Sequence, residues 1–135
     1  MGSFTETMTI PAALFYALML VESGNKSNAI GPRGEVGPLQ MKPIFIDDVN
    51  RIMGARKGEG FERCDAQDRK TACEMAEIYL AHYATEERLG HEPTHEDLVR
   101  IFHGGPNAWV RRTPEMNDYV QRVMNLYQMQ LASKD

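Results

Sequence analysis

Apolar residues recur at spacings of three and four along most of this chain, and clusters of Gly, Pro and Asn separate the apolar stretches. Such spacing puts the apolar side chains on one face of an α-helix, whereas a half-buried strand would alternate apolar and polar residues. The Gly and Pro clusters mark the turns between helices. The sequence therefore predicts an all-α or α-rich fold, with a short hairpin within residues 28–40 as the only candidate for β structure.

The first two predicted helices flank a loop rich in Gly, Asn and Pro at residues 24–38. The first helix begins at Pro11, whose fixed φ suits a first turn, and ends at Gly24, which can adopt a left-handed closing conformation. Glu22 then lies in its last turn. The second helix begins at Pro43, and the side chains expected to point inward are Phe45, Val49, Ile52 and Met53.

Three more helices are predicted after a glycine-punctuated loop at residues 54–60. Thr94 and Asp97 resemble a capping box at the start of the second of these helices, and residues 103–107 end it. Thr113, followed by Pro, signals the start of the last helix. The predicted inward stripes are Ala72, Met75, Ala76, Tyr79, Leu80 and Tyr83, then Leu98, Ile101 and Phe102, and finally Met116, Tyr119, Val120, Val123, Met124 and Tyr127.

The chain has the size of one domain: it contains 135 residues, and its apolar fraction of 42% is sufficient for a core. We expect a single domain over residues 9–131, with an N-terminal tail at residues 1–8 and a C-terminal tail at residues 132–135. The initial Met-Gly-Ser is compatible with a cloning remnant that replaces a removed leader. Export of the natural protein is therefore left open.

Charge and the length of the apolar runs disfavour two classes of partner. The net charge of −4 argues against a surface that binds nucleic acid by neutralising phosphates. The longest uncharged apolar run, residues 10–21, is too short to span a bilayer and lacks the basic flank of a signal peptide. We expect no nucleic-acid partner, no membrane span and a monomer. Cys64 and Cys73 are expected to be two free or buried thiols rather than one disulfide over a short loop.

Glu22 is the first candidate for chemistry, because an apolar run leads up to it and Ser23 and Gly24 follow it. Its carboxyl should lie where a core helix meets a polar loop, and partial burial there favours the protonated acid. Such an acid can donate a proton to a leaving-group oxygen, as cleavage of a glycosidic bond requires. The alternative is a solvated glutamate at a helix end, although a carboxylate there opposes the helix dipole.

Four short motifs follow one another along the chain. They are Glu22-Ser23-Gly24, Gly-Glu-Val-Gly-Pro-Leu-Gln at residues 34–40, Ile-Phe-His-Gly-Gly at residues 101–105, and Tyr119 on the last helix. In order and spacing, over residues 11–127, they resemble the lysozyme-like soluble lytic transglycosylases. That family carries Glu-Ser-Gly or Glu-Ser-Ser, Gly-x-x-Gly-Leu-Met-Gln, Ala-Tyr-Asn-Gly-Gly and a tyrosine on a final helix. The resemblance implies a lysozyme-like fold, in which a helical bundle and a small loop-rich lobe enclose a substrate cleft.

The resemblance also implies an activity and a set of site residues. Glu22 would act as acid and then as base to cleave the MurNAc-GlcNAc β-1,4 bond of peptidoglycan, leaving 1,6-anhydro ends without a metal or cofactor. Such a protein would be periplasmic, extracellular or phage-associated. Gly34 and Gly37 would let the backbone turn tightly and approach the sugar. The residues implied to contact the substrate or orient the acid are Ser23, Gln40, His103, Gly104 and Tyr119.

The same residues also have simpler interpretations, and the sequence departs from the family at several positions. The role of Gln40 could be limited to capping the next helix, and Tyr119 could be a core aromatic. Pro38 stands where the family usually has Leu, Lys42 where many members have Met, and Phe-His at residues 102–103 where they have Tyr-Asn. A histidine becomes charged below about pH 6.5, which Asn does not. Contacts with the substrate are therefore expected to differ from those of the family.

Two other functions on the same fold remain open. A hydrolytic muramidase would use Glu35, Asp47 or Asp48 to position water across the sugar ring from Glu22. A glycan-binding or assembly subunit would keep the fold without turnover, although a retained Glu22 argues against it.

A further alternative is a zinc peptidase, because residues 91–95 read His-Glu-Pro-Thr-His and match the H-E-x-x-H pattern. That site needs His91 and His95 one turn apart on a helix, whereas Pro93 disfavours helix just before it. We therefore assign residues 91–95 to a solvated loop. Arg111 and Arg112 are also assigned to a solvated loop, with binding of an anionic peptide stem as the alternative.

Overall fold

The computed structural model describes residues 10–133, which contain six α-helices, two short 3-10 helices and no named strand. The all-α class is therefore confirmed. The tail predicted at residues 1–8 lies outside the described residues, as do the last two residues of the C-terminal tail. The α-helices are α1 (Ala12–Ser23), α2 (Pro43–Met53), α3 (Arg69–Tyr83), α4 (Glu86–Leu89), α5 (His95–Gly104) and α6 (Pro114–Ala132), and the 3-10 helices are Arg63–Gln67 and Ala108–Val110.

The first helix, α1, lies in the core and packs along α6. It is apolar on most sides, as expected of a helix that neighbours surround, and Leu14, Ala17 and Leu18 are almost inaccessible to solvent. Gly24 ends the helix in the left-handed conformation with a φ of 68°, as predicted. Pro11 is the residue before the first helical one, so the helix begins one position later than predicted. Glu22 lies in the last turn.

The helix α5 packs on α6 and on α3, and α3 packs on α2, through the predicted stripes. The stripes of α3, α5 and α6 are buried, with Tyr83 and Met124 half-buried at their edges. In α2 the prediction is wrong at Met53, which is 43% exposed, because it is the last residue of the helix and an exposed loop follows it. Ile46, which was not predicted, is buried together with Val49.

The predicted hairpin is reduced to two isolated bridges, which join Ile30 to Val36 and Val36 to Met41. The segment is otherwise a loop that lies beside the start of α2. One helix boundary and one short helix also differ from the predictions. The helix α5 extends through Gly104, so His103 is helical, and the single turn of α4 was missed because four residues are too few to show a period.

Neither cysteine forms a disulfide: Cys64 is an exposed thiol and Cys73 is half-buried. Burial raises the pKa of the Cys73 thiol to about 11, so this sulfur stays protonated and unreactive at neutral pH. No helix within residues 10–133 is long and apolar enough to cross a bilayer.

Candidate active site

An open cleft of about 1160 Å³ lies where the end of α1, the loop before α2, and the helices α2, α3 and α5 meet. Three aromatic residues on its surface pack together. The Phe45 ring stacks on Tyr79 with centroids 4.0 Å apart, and it meets Phe102 edge-on at 5.5 Å. Apolar rings beside a few polar groups are typical of ligand sites. Their spacing alone predicts that Phe45 and Tyr79 are core residues, since it does not show that one side of each faces a cleft.

Glu22 lies in the wall of this cleft with 16% of its side chain exposed. The Tyr119 hydroxyl donates a hydrogen bond to its Oε2 atom. The Nδ1 atom of His103 lies 3.5 Å from the same oxygen. Within residues 10–133 no hydrogen bond is made to Oε1. Protein side chains therefore hold one oxygen of this carboxyl, and the other oxygen has no partner among these residues.

Tyr119 reaches Glu22 from the buried face of α6, and only 7% of Tyr119 is exposed to solvent. Burial raises the pKa of its phenol well above the usual range, and the charge of Glu22 raises that pKa further. The phenol therefore remains a hydrogen-bond donor at any ordinary pH. The His103 ring stacks on the Tyr119 ring with centroids 3.7 Å apart and an interplanar angle of 14°. Glu22 on α1, His103 on α5 and Tyr119 on α6 are thus in contact with one another.

Gln40 lines the cleft from the loop that precedes α2. Its backbone has a φ of 50°, a left-handed conformation that costs free energy for a residue other than Gly. The side-chain amide donates hydrogen bonds to the carbonyl oxygens of Gly37, at 2.9 Å, and Ala29, at 3.2 Å, and these bonds hold the turn. Only the side-chain oxygen of Gln40 is left to meet a ligand. Gln40 therefore stabilises the turn and also faces the cleft.

Ser23 does not line the cleft, contrary to the expectation from the resemblance. Its position one residue after Glu22 turns the side chain about 100° around α1, towards the loop. The hydroxyl donates to the Pro38 carbonyl oxygen at 2.8 Å and accepts from the Lys26 backbone N–H at 3.1 Å. Ser23 therefore ties the loop to the end of α1.

Replacing Ser23 with Ala is expected to lower the free energy of unfolding by about 1–2 kcal/mol, because the buried Pro38 carbonyl loses its donor. Denaturant unfolding measures this change. Ser133→Ala is the matched control, since that hydroxyl also donates to a carbonyl, of Gln130, but at the exposed end of α6. Equal stability losses in the two variants would contradict the role assigned to Ser23.

The two glycines of the second motif face protein rather than the open cleft, whereas both glycines of the third motif line it. Gly37 has a φ of 81°, and a Cβ there would lie 1.9 Å from the Ala66 carbonyl oxygen. Gly34 turns the chain beside Pro43, and neither Gly34 nor Gly37 is among the residues that line the cleft. Gly104 does line it, and a Cβ there would come within 2.7 Å of Ala108.

Three further carboxylates, those of Glu35, Asp47 and Asp48, line the same cleft as Glu22. Burial by itself would raise the pKa of Asp48, but hydrogen bonds from Tyr83 and Arg51 outweigh it and lower that pKa. The sequence placed Tyr83 on an inward stripe but did not show its bond to Asp48, which lies 35 positions away. The pKa of Glu35 is also lowered, chiefly because the backbone N–H of Arg33 donates to it at 2.8 Å.

Residues 91–95 do not form the helix that a zinc peptidase site needs. Thr94 caps α5 through the predicted capping box with Asp97, so His95 is the first helical residue and His91 lies in the preceding loop. His91 Nε2 contacts Asp97 Oδ2 at 2.7 Å, and the His95 ring packs edge-on against Tyr127. In the part of the chain that the structure describes, no group of three or more His, Cys, Asp and Glu residues could hold a metal ion.

Asp97 is a buried carboxylate whose replacement should affect stability in a pH-dependent way. Burial by itself would raise its pKa, but bonds from the Thr94 backbone and from His91 outweigh it and lower that pKa. Asp97→Asn is expected to lower the free energy of unfolding at pH 7 by about 1–3 kcal/mol. The contribution of Asp97 is fully present above its unfolded pKa of about 3.9 and is lost as pH falls through its lower folded pKa.

Thermal or denaturant unfolding from pH 7 to pH 2 checks this prediction. The stability difference between the wild-type protein and Asp97→Asn should shrink towards the acid end. Asp118→Asn, at an exposed position of α6, should change stability by less than about 0.5 kcal/mol at every pH. A difference at Asp97 that does not depend on pH would contradict the charge-based explanation.

Of the residues expected at the site, the structure brings Glu22, Gln40, His103 and Gly104 to one cleft, with Tyr119 bonded behind Glu22. Ser23 is turned away. No protein-family model matches this chain, and a search of curated proteins finds no significant match.

Proposed function

We propose that this protein is a peptidoglycan lytic transglycosylase with a lysozyme-like fold and that Glu22 carries its chemistry. One observation supports this above the others: a mostly buried carboxyl, held at Oε2 by Tyr119, lies in the wall of an open cleft. A volume of about 1160 Å³ exceeds most small-ligand pockets, which hold about 300–1000 Å³. An open cleft of that size suits a polymer.

The arrangement of elements around the cleft supports the lysozyme-like fold. Residues 24–42 form a loop-rich region with two isolated β-bridges, and Glu22 lies where that region meets the helices. The core helix α1 ends at this junction, so it presents Glu22 from a rigid element. A rigid mounting matters because a misplacement of about 1 Å can cost a hundredfold in rate.

In the proposed reaction Glu22 acts twice. As an acid it donates a proton to the oxygen between MurNAc and GlcNAc while the bond from that oxygen to the MurNAc C1 breaks. As a carboxylate it then takes the proton of the MurNAc 6-hydroxyl while that oxygen attacks C1. The new C1–O6 bond replaces the broken one, no water is consumed and Glu22 is again an acid. Tyr119 remains a donor to Oε2 throughout, because its phenol stays protonated.

The other carboxylates favour this reaction over hydrolysis. A hydrolase needs a second carboxylate that is free to bind the attacking water. Both oxygens of Asp48 are already occupied, one by Arg51 and the other by the Tyr83 hydroxyl. Glu35 holds the backbone N–H of Arg33. A hydrolase would therefore have to use the exposed Asp47 or the remaining oxygen of Glu35.

Digestion of purified sacculi tests the proposal. Muropeptides that end in 1,6-anhydro sugars, each lighter by one water than the hydrolytic product, are the expected result in mass spectrometry. Reducing ends would instead indicate a muramidase. Intact sacculi would indicate a glycan-binding or assembly subunit.

Activity is expected to survive prolonged treatment with EDTA or phenanthroline, because Glu22 chemistry needs no metal and His91 lies outside α5. Sacculus digestion before and after treatment measures this, and elemental analysis should find no stoichiometric zinc. Chelator-sensitive activity that added zinc restores would favour the peptidase interpretation instead.

A further inference from the structure

The proposed active-site cleft contains charges of both signs, and Arg111 is the lining cation that lies beside Gly104 and His103. The lining cations are Arg33, Lys42, Arg51 and Arg111. Arg51 forms an ion pair with Asp48 at 2.7 Å, whereas Arg33 and Lys42 lie near Glu35 without an ion pair among residues 10–133. The Arg111 guanidinium makes no hydrogen bond or ion pair with any of residues 10–133. Its donors are therefore available to a ligand.

The position of Arg111 places those donors on the same side of the cleft as Glu22. Its Nη1 atom lies 2.9 Å from where a Cβ of Gly104 would be, so the guanidinium rests against this glycine. Gly104 follows His103, whose Nδ1 atom lies 3.5 Å from Glu22 Oε2. A sugar whose glycosidic bond reaches Glu22 would therefore bring its substituents close to Arg111.

We propose that Arg111 binds a carboxylate carried by the muramyl sugar at the bond to be cleaved, and so selects MurNAc over GlcNAc at that position. This inference rests on the proposed function. The glycan backbone is neutral, and MurNAc differs from GlcNAc by a 3-O-lactyl group. That group ends in a carboxylate or, where a peptide stem is attached, leads to the carboxylates of the stem. A guanidinium can bind a carboxylate through two parallel hydrogen bonds.

Binding measured without turnover tests the inference. In a Glu22→Gln background, calorimetry would give the Kd for short GlcNAc-MurNAc oligomers in three forms: with peptide stems, without stems but with free lactyl carboxylates, and without stems with those carboxylates converted to methylamides. Adding Arg111→Met is expected to raise the Kd about tenfold for a carboxylate-bearing form and to leave the amidated form unchanged. Arg111→Lys should recover part of the lost affinity, because Lys keeps the positive charge but cannot form the two parallel hydrogen bonds of a guanidinium.

The two carboxylate-bearing forms identify the source of the anion. A loss confined to the stem-free form identifies the lactyl carboxylate, a loss confined to the stem-bearing form identifies the stem, and a loss on both shows that Arg111 accepts either. Arg33→Met is the matched control, since it removes the same charge from the same cleft and should change the Kd less than about twofold.

Several results would overturn the inference: an unchanged Kd in Arg111→Met, an equal loss on the amidated form, an equal loss in Arg33→Met, or no binding of any form. None of them requires cleavage. Failure of the wild-type protein to cleave sacculi contradicts the proposed function instead, so the two failures are distinguishable.

Discussion

Replacing Glu22 with Gln is expected to reduce the cleavage of glycan strands by at least a hundredfold while leaving the fold intact. Gln is nearly isosteric with Glu and can still accept the Tyr119 hydrogen bond, but it cannot donate the proton that the leaving oxygen needs. General acid catalysis typically contributes about 10² to 10⁴ in rate, or about 3–5 kcal/mol. The release of soluble muropeptides from sacculi measures the change, and circular dichroism with thermal unfolding checks the fold.

Glu35→Gln is the matched control for Glu22→Gln, because it makes the same chemical change in the same cleft. Its turnover is expected to stay within about threefold of wild type, since Glu35 has no part in the two proton transfers. A Glu22→Gln variant that keeps more than about a tenth of wild-type turnover would exclude Glu22 as the acid. Loss of turnover in both variants would indicate a pair of carboxylates and hence hydrolysis.

Replacing Tyr119 with Phe is expected to separate stability from activity. The ring and its packing against His103 are kept, so the loss of one hydrogen bond should cost about 1 kcal/mol of stability. Turnover should fall more than about tenfold, because the Glu22 carboxyl loses the contact that orients it. The KM should change little, because the Tyr119 hydroxyl is directed at Glu22 rather than at the cleft.

Tyr127→Phe provides the comparison for Tyr119→Phe. Tyr127 is also buried on α6, but it contacts His95 rather than a cleft residue. Unfolding and sacculus digestion should show Tyr127→Phe close to wild type in turnover. A Tyr119→Phe variant whose turnover changes less than about twofold would remove Tyr119 from the site while leaving Glu22 in it.

Local signals were sufficient to predict most helix boundaries from the sequence. Pro43 and Thr113 mark the starts of α2 and α6, Thr94 caps α5, and Gly24 ends α1, because each acts through its own backbone or its nearest turn. The prediction that Met53 is buried was wrong because no local signal shows whether the end of a helix is covered. Its spacing is that of a core residue, but whether a neighbour covers the end of α2 depends on the tertiary fold.

The site was predictable only in part. The last turn of α1 and the buried stripe of α6 followed from the residues, but the bond between Glu22 and Tyr119, which are 97 positions apart, followed only from the family resemblance. Ser23 shows the limit of that resemblance, because a motif fixes the residue type but not the direction of the side chain. The bonds of Asp48 and the position of Arg111 beside Gly104 depend on tertiary placement, which composition and spacing do not encode.

Digestion of sacculi in water enriched in oxygen-18 tests most directly whether Glu22 catalyses transglycosylation. In the proposed reaction the MurNAc 6-hydroxyl supplies the oxygen that attacks C1. We therefore predict 1,6-anhydro products that carry no label, and no release of these products by Glu22→Gln. Products with reducing ends, each carrying one labelled oxygen from water, would contradict transglycosylation and show that the cleft hydrolyses its substrate.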